Sequence, residues 1–258
     1  MEDLLENISR NSNPKDNFYI VVRGNKSRLK TLFSSPMKGK GYELALVGLS
    51  TYYSFPNIDK NNNKIIIEST NGKIADVHTI RLPKGCYELT EINDRITFLM
   101  SWEKGKAKVE VKDDAVTLRS LLFVKEKGWL VKFNGNDSLG RVLGFTGEEY
   151  GYQIDDKGHP FPHTSENIVN ILSVNSILIH CDIITGSMVD GMMQPVLFHC
   201  SPNVAPGNKI VSEPVNPIYL PVSNDVINEI NIWVTDQDNN LLDLQEEKIV
   251  ITLHMRQR

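Results

Sequence analysis

The chain has no apolar run of about 18 residues, the length a helix needs to cross a bilayer, so no membrane-spanning helix is predicted. Cysteine is scarce: Cys86, Cys181 and Cys200 form an odd set with no CxxC pair. That spacing offers neither a disulfide framework nor a zinc-finger pattern. The opening residues MEDLLENISRNSNPKDN lack the basic start and apolar stretch of a secretory leader. Together these absences predict a soluble chain with reduced thiols in a reducing compartment. A basic excess is missing too. The formal net charge is −4, which argues against a general nucleic-acid binder and predicts no nucleic acid contact. Three local basic groups remain: Arg23, Lys26, Arg28 and Lys30; Lys104, Lys106 and Lys108; and Arg256 with Arg258. They read as solvated faces, the alternative being a face turned toward packaged nucleic acid.

Catalytic signatures are equally sparse. No GxGxxG or GxxxxGK[ST] phosphate loop occurs, and Gly186-Ser187 lacks the flanking pattern of a nucleophile elbow. His159 and His163 sit four apart, but Pro160 and Pro162 forbid the helix that would turn both to one metal. The dipeptides His180-Cys181 and His199-Cys200 fall on strand candidates. Neighbouring residues of a strand point to opposite faces, so each pair offers one ligand to a shared site, and core or boundary positions are the simpler reading. Asp236, Asp238 and Asp243 imitate a calcium loop without its glycine or closing glutamate, and read as a hairpin turn. No catalytic, cofactor or metal residue is predicted.

What the sequence does contain is strand signal. FYIVV (18–22), YELALVGLSTYYSF (42–55), KIIIES (64–69) and VHTIRL (77–82) are β-branched, aromatic or alternating, and Asn71-Gly72 is a hairpin turn between the last two. The period then changes. Leu89, Ile92, Ile96, Leu99 and Met100 recur at helical spacing within 86–102, with Thr90 as a partial N-cap. Short strands follow at 107–113, 115–124 and 129–134, then a helical turn at 137–145 and a Gly/Asp/Pro/His-rich loop at 146–167. Strands resume at 176–184 and, after the turn region TGSMVDGMM, at 194–202. The stretch 209–223 carries prolines that confine it to an edge, and 229–236 and 248–255 complete the set.

The fold class is therefore mainly β: an antiparallel jelly-roll sandwich interrupted by a small helix-containing α+β insert. The predicted boundaries are an N-terminal arm over 1–17, a jelly-roll domain from 18–85 plus 168–258, and an insert with its loop over 86–167.

Three segments carry a resemblance: VNSILIHCDIITGSMVDG (174–191), PNVAPGNKIVSEPVNPIYLPVS (202–223) and EINIWVTDQDNNLLDLQEEKIVITLHMR (229–256). With RLPKGCYELTEIN (81–93), LGFTGEEY (143–150) and YELALVGLSTYYSFPNI (42–58), they resemble the minor capsid, or penton, proteins of Polinton/Maverick elements. These are virus-like transposons also called adintoviruses in animals. The resemblance covers most of 18–256, but the loop 151–167 and the MVDGMM turn have no counterpart in it. It implies a jelly-roll vertex protein of a virion, made inside the host cell, that assembles with itself as a pentamer and with a major capsid protein, without catalysis or cofactor.

The alternative is a β-sandwich binding module for glycan or protein attachment. Tyr52, Tyr53, Tyr150, Tyr152 and Trp129 are its candidate stacking residues, although core or interface packing explains each of them as well. An enzyme is the weakest reading, because no acid, base and nucleophile converge in the sequence.

Overall fold

Successive side chains of a strand point to opposite faces. In β1 (Asn17–Gly24) this buries Ile20 and Val22 and turns Tyr19 and Val21 outward. The structure, a computed structural model, describes residues 17–69, 76–104, 108–171 and 173–258. β2 (Arg28–Lys38) and β3 (Tyr42–Tyr52) follow. The chain then lays down β4 (Lys64–Ser69), β5 (Asp76–Arg81), α1 (Leu89–Lys104), β6 (Val109–Asp114), β7 (Arg119–Val124) and β8 (Trp129–Lys132). α2 (Gly140–Leu143), β9 (Glu149–Gly151) and β10 (His163–Thr164) complete this stretch. Next come β11 (Ile177–Cys181), the small hairpin of β12 (Met188–Val189) and β13 (Met192–Met193), and β14 (Val196–Cys200). Last are β15 (Lys209–Ser212), β16 (Leu220–Pro221), β17 (Val226–Thr235) and β18 (Ile249–Gln257).

Two compact units result. The first joins the described residues through Phe55 to Val174–Arg258, and the second is Pro56–Ser173. In the first unit one sheet runs β1-β18-β3-β15, with β16 also on the edge of β3, and the other runs β14-β11-β17-β2. All these pairings are antiparallel. With β15 and β16 counted as one interrupted strand and the small hairpin set aside, the order along the chain gives sheets 1-8-3-6 and 5-4-7-2. Sheet neighbours come from distant parts of the chain, which is the jelly-roll arrangement of nested Greek keys. The inner faces share one core that includes Leu44, Leu46, Ile179, Ile230, Ile251 and Leu253. The proline-bearing stretch 209–223 lies at the edge, as its sequence requires: β15 and β16 pair with β3 alone, and 213–219 loops away between them.

The unit boundaries differ from those drawn on the sequence. β4 and β5, placed there in the jelly roll as part of 18–85, belong to the second unit, in a sheet ordered β5-β4-β8-β9. They do pair with each other. Alternation specifies that a strand has one buried face but not which sheet receives it, and here the deciding partner is β8, some sixty residues away. The Asn71-Gly72 turn lies outside the described residues, as do residues 1–16 of the predicted arm and the Gly105-Lys106 helix stop. β2 was missed in the sequence. Its pairing with β17 breaks between Ile227 and Glu229, so 33–36 bulge and the period is lost.

The second unit has its own core, including Ile65, Ile67, Ile92, Ile96, Val109 and Leu122. A three-stranded sheet, β10-β7-β6, stands beside α1, which packs on β6. The helix starts earlier than the Thr90 cap implies: the Glu91 carboxylate accepts the N–H of Glu88 at 2.8 Å, half of a capping box. Asn93 instead accepts the N–H of Val111 at 2.9 Å, fixing α1 to the sheet. The predicted loop 146–167 contains β9 and β10. Buried Asn57 joins the two ends of this unit. Its amide donates to the carbonyls of Tyr87 at 2.7 Å and Ile171 at 3.0 Å, while its Oδ1 accepts the N–H of Tyr87.

Candidate interaction surfaces

Side chains with reactive chemistry are occupied locally. His159 is largely exposed beside Asp155, while His163 points its Nε2 at the carbonyl of Gly151, 2.6 Å away, so the two serve different partners. His180 is buried in the jelly roll, stacked on Trp233 at 5.0 Å and hydrogen-bonded to Thr235 Oγ1 at 2.9 Å. Cys181 faces the core, Cys200 packs against it, and His199 is exposed. Ser187 donates to the carbonyl of Gln194 and accepts the N–H of Val196 at 3.0 Å, stitching a turn together. Asp236 accepts the N–H groups of Asp238 and Asn240 at 2.9 and 2.8 Å, which forms the hairpin turn, and Asp243 caps the N–H of Gln245. Among the described residues no group of three His, Cys, Asp or Glu is placed to hold a metal.

Burial raises the thiol pKa of Cys181 to about 12 and that of Cys200 to about 11. In the native protein at pH 8, a maleimide is therefore expected to label Cys86 well before the other two, with Cys181 reacting only on unfolding. Mass spectrometry of timed digests would read the order, and early labelling at Cys181 would contradict it.

His180 is pushed toward its neutral form by burial, and His254 by burial and then by the charge of Arg256. A histidine whose folded pKa lies below its unfolded value of 6.5 adds stability above that pH and loses it as the pH falls. The urea midpoint is thus expected to drop between about pH 7 and 5, and His180→Gln to flatten the drop. An unchanged slope in the variant would assign the loss elsewhere.

Most of the large exposed apolar residues of the jelly roll lie on its two lateral flanks, with Tyr52, Val226 and Leu241 elsewhere. One flank is formed by the edge strand β14 with β15 and β16. Beside them β12 and β13 pair through the two-residue turn Asp190-Gly191, at φ 50° and 78°, the positive angles of a type I′ hairpin. Met188, Met192 and Met193 on this hairpin are 63–64% exposed. The hydrogen bond from Thr185 N–H to Pro221 O, 3.0 Å, and the Ile184–Val222 bridge tie the hairpin's base to the segment carrying exposed Val215 and Ile218. Between hairpin and segment lies a groove of about 660 Å³, lined by Met188, Val196, Phe198, Ile218 and Leu220.

The opposite flank is formed by β1 and β2, the other edges of the same two sheets. It exposes Tyr19, Val21 and Leu32. Residues 17–42 hold six bases, Arg23, Lys26, Arg28, Lys30, Lys38 and Lys40, and no acid. Lys30 pairs with Glu229 at 2.8 Å. Toward the sheet face Tyr19 stacks on His254 at 4.7 Å, and the Tyr219 hydroxyl meets His254 Nδ1 at 2.6 Å. The Tyr219 ring lies 3.5 Å beneath the Arg256 guanidinium. Arg256 also reaches Glu43 at 2.6 Å. Small Ala45, opposite His254 on β3, leaves room for this cluster.

The remaining basic residues are partly paired: Lys108 meets Glu126, Arg258 lies 3.7 Å from Glu43, and Lys106 is outside the described residues. The aromatic residues singled out for glycan stacking form no common platform. Tyr53 and Tyr150 are buried, Trp129 and Tyr152 pack on the core of the second unit, and Tyr52 is 39% exposed. Neither flank was read as a site from the sequence. The Asp-Gly dipeptide between Met-Val and Met-Met was the available signal for the first, and the acid-free run 17–42 for the second.

No family model matches the chain, and no curated protein matches it. Among solved structures, the selenomethionine-labelled mavirus penton protein aligns with a TM-score of 0.48 at 12% identity, covering 94% of this chain and 99% of that one.

Proposed function

We propose that the chain is a minor capsid protein, a penton, closing the five-fold vertices of an icosahedral capsid in a virus-like transposon of the Polinton/Maverick (adintovirus) type. The observation that carries this reading is an eight-stranded jelly roll whose two lateral flanks are unlike, one an apolar groove beside the β12–β13 hairpin and the other rich in base. A closed ring requires this kind of subunit, because head-to-tail contacts join two different patches on each copy. The resemblance of 174–256 to the penton proteins of these elements supports it independently. On this reading the partners are other copies of the chain, as a pentamer, and a major capsid protein. The site of action is the virion, reached after synthesis in the host cell, and the protein has no catalytic step.

The test is native mass by light scattering, followed by co-expression with the major capsid protein of the same element. A mass near five chains, or incorporation at the vertices of assembled shells, is the expected result. A chain that stays monomeric and is absent from shells formed in its presence would defeat the proposal.

A further inference from the structure

We infer that the two flanks are the two halves of one contact: the groove beside β12–β13 of one copy receives the β1–β2 flank of the next. This rests on the vertex reading and assigns the surfaces through which its ring would close.

Topology supplies the first argument. β14 and β2 are opposite edges of one sheet, and β15 and β1 are opposite edges of the other. Every copy therefore carries both halves, on opposite sides. Joining unlike sides leaves one half free at each end of a growing arc until the arc closes on itself.

Charge supplies the second. Residues 17–42, which form the β1–β2 flank, hold six bases and no acid, and of the six Lys30 pairs with Glu229 of β17, whereas residues 186–220, which form the groove flank, hold two acids, Asp190 and Glu213, against the single base Lys209. Asp190 and Glu213 are both exposed. Joining two basic flanks would bring like charges together, as would joining two groove flanks to a lesser degree. Only the unlike pairing brings opposite signs together.

Apolar surface supplies the third. Leu32, 69% exposed, and Val21 are apolar side chains open to a partner surface, and the groove lined by Met188, Val196, Phe198, Ile218 and Leu220 offers an apolar one, with the flexible Met188 side chain at its rim. Strand addition is hindered along two of these edges. Pro214, Pro217 and Pro221 remove edge donors from the segment that follows β15, and the bulge at 33–36 interrupts β2, so between these two segments side chains make the contact.

The test uses two full-length variants of the chain. One, Met188→Asp with Ile218→Asp, spoils the groove; the other, Leu32→Asp with Arg28→Glu, spoils the opposite flank. All four residues are exposed, so melting curves close to wild type are expected. If a double Asp variant fails to fold, Met188→Ser with Ile218→Ser replaces it. Each variant alone is expected to associate at least about 30-fold more weakly than wild type. Mixed one to one, the two variants retain a single intact pair of halves and are expected to form a dimer and nothing larger.

Wild-type rings that survive both variants would overturn the inference and leave the vertex reading standing. So would loss of association on deleting residues 1–16 with none on spoiling β2, which would assign the groove to that segment of a neighbouring copy. A wild-type chain that never assembles, alone or with the capsid partner, would defeat the vertex reading itself.

Discussion

Leu253→Ala is expected to destabilise the jelly-roll unit by about 3 kcal/mol. Leu253 is fully buried in the shared core. It pairs with Leu46 just after the register shift at Thr252, where β18 is already bent against β3. Truncation there removes the transfer free energy of three carbons and leaves a void that two hydrogen-bonded sheets cannot easily collapse to fill. The adjacent Thr252, turned to the other face, provides the control, and Thr252→Ala is expected to stay within about 0.5 kcal/mol of wild type. Urea unfolding followed by Trp233 fluorescence, with Trp102 and Trp129 replaced by Phe, isolates this unit. Equal effects from the two variants would mean that Leu253 is not part of a tight core.

Gly144→Ala is expected to cost the second unit about 3 kcal/mol or more, as backbone strain and a collision act together. Gly144 ends α2 at φ 83°, and a Cβ there would lie 2.2 Å from the carbonyl oxygen of Asn167. That segment is held in place, because the Asn167 N–H donates to the Gly144 carbonyl at 2.9 Å. Gly158 separates the two effects. Its φ is 80°, yet a Cβ added to it would meet nothing within 4 Å, so Gly158→Ala should show the conformational cost alone, about 1 kcal/mol. Unfolding followed by Trp129 fluorescence distinguishes them, and comparable losses for both variants would remove the collision from the argument.

These positions also mark how far the sequence could be read. β1, β3, β11, β17 and β18 were legible because each buries one face, and the alternation of Ile249, Ile251 and Leu253 follows directly from that. The prolines of 209–223 announced an edge for an equally local reason. Sheet membership was not legible, since β4 and β5 read as a sound hairpin whichever sheet takes them, and β8 decides the matter from far along the chain. β2 escaped because its bulge destroys the period and Leu32 is exposed where a strand template expects burial. The two flanks were the least visible of all. The Asp-Gly dipeptide marks a hairpin and the prolines mark an edge, but neither segment alone shows that the two lie side by side, so Met188 reads only as part of a turn and Ile218 only as part of an edge.

Asn57 gives the insert a property that matters over evolutionary time. One amide side chain holds the first and last parts of 56–173 within hydrogen-bonding distance of each other. A segment whose ends already meet asks its host only for a narrow opening in a connection between two strands, and adds little chain-closure entropy whatever its length. Such a segment behaves as a cassette. Its outward-facing loops can diversify, or the whole cassette can be exchanged for another, while the sandwich that carries it keeps its strand order, its core and both of its flanks.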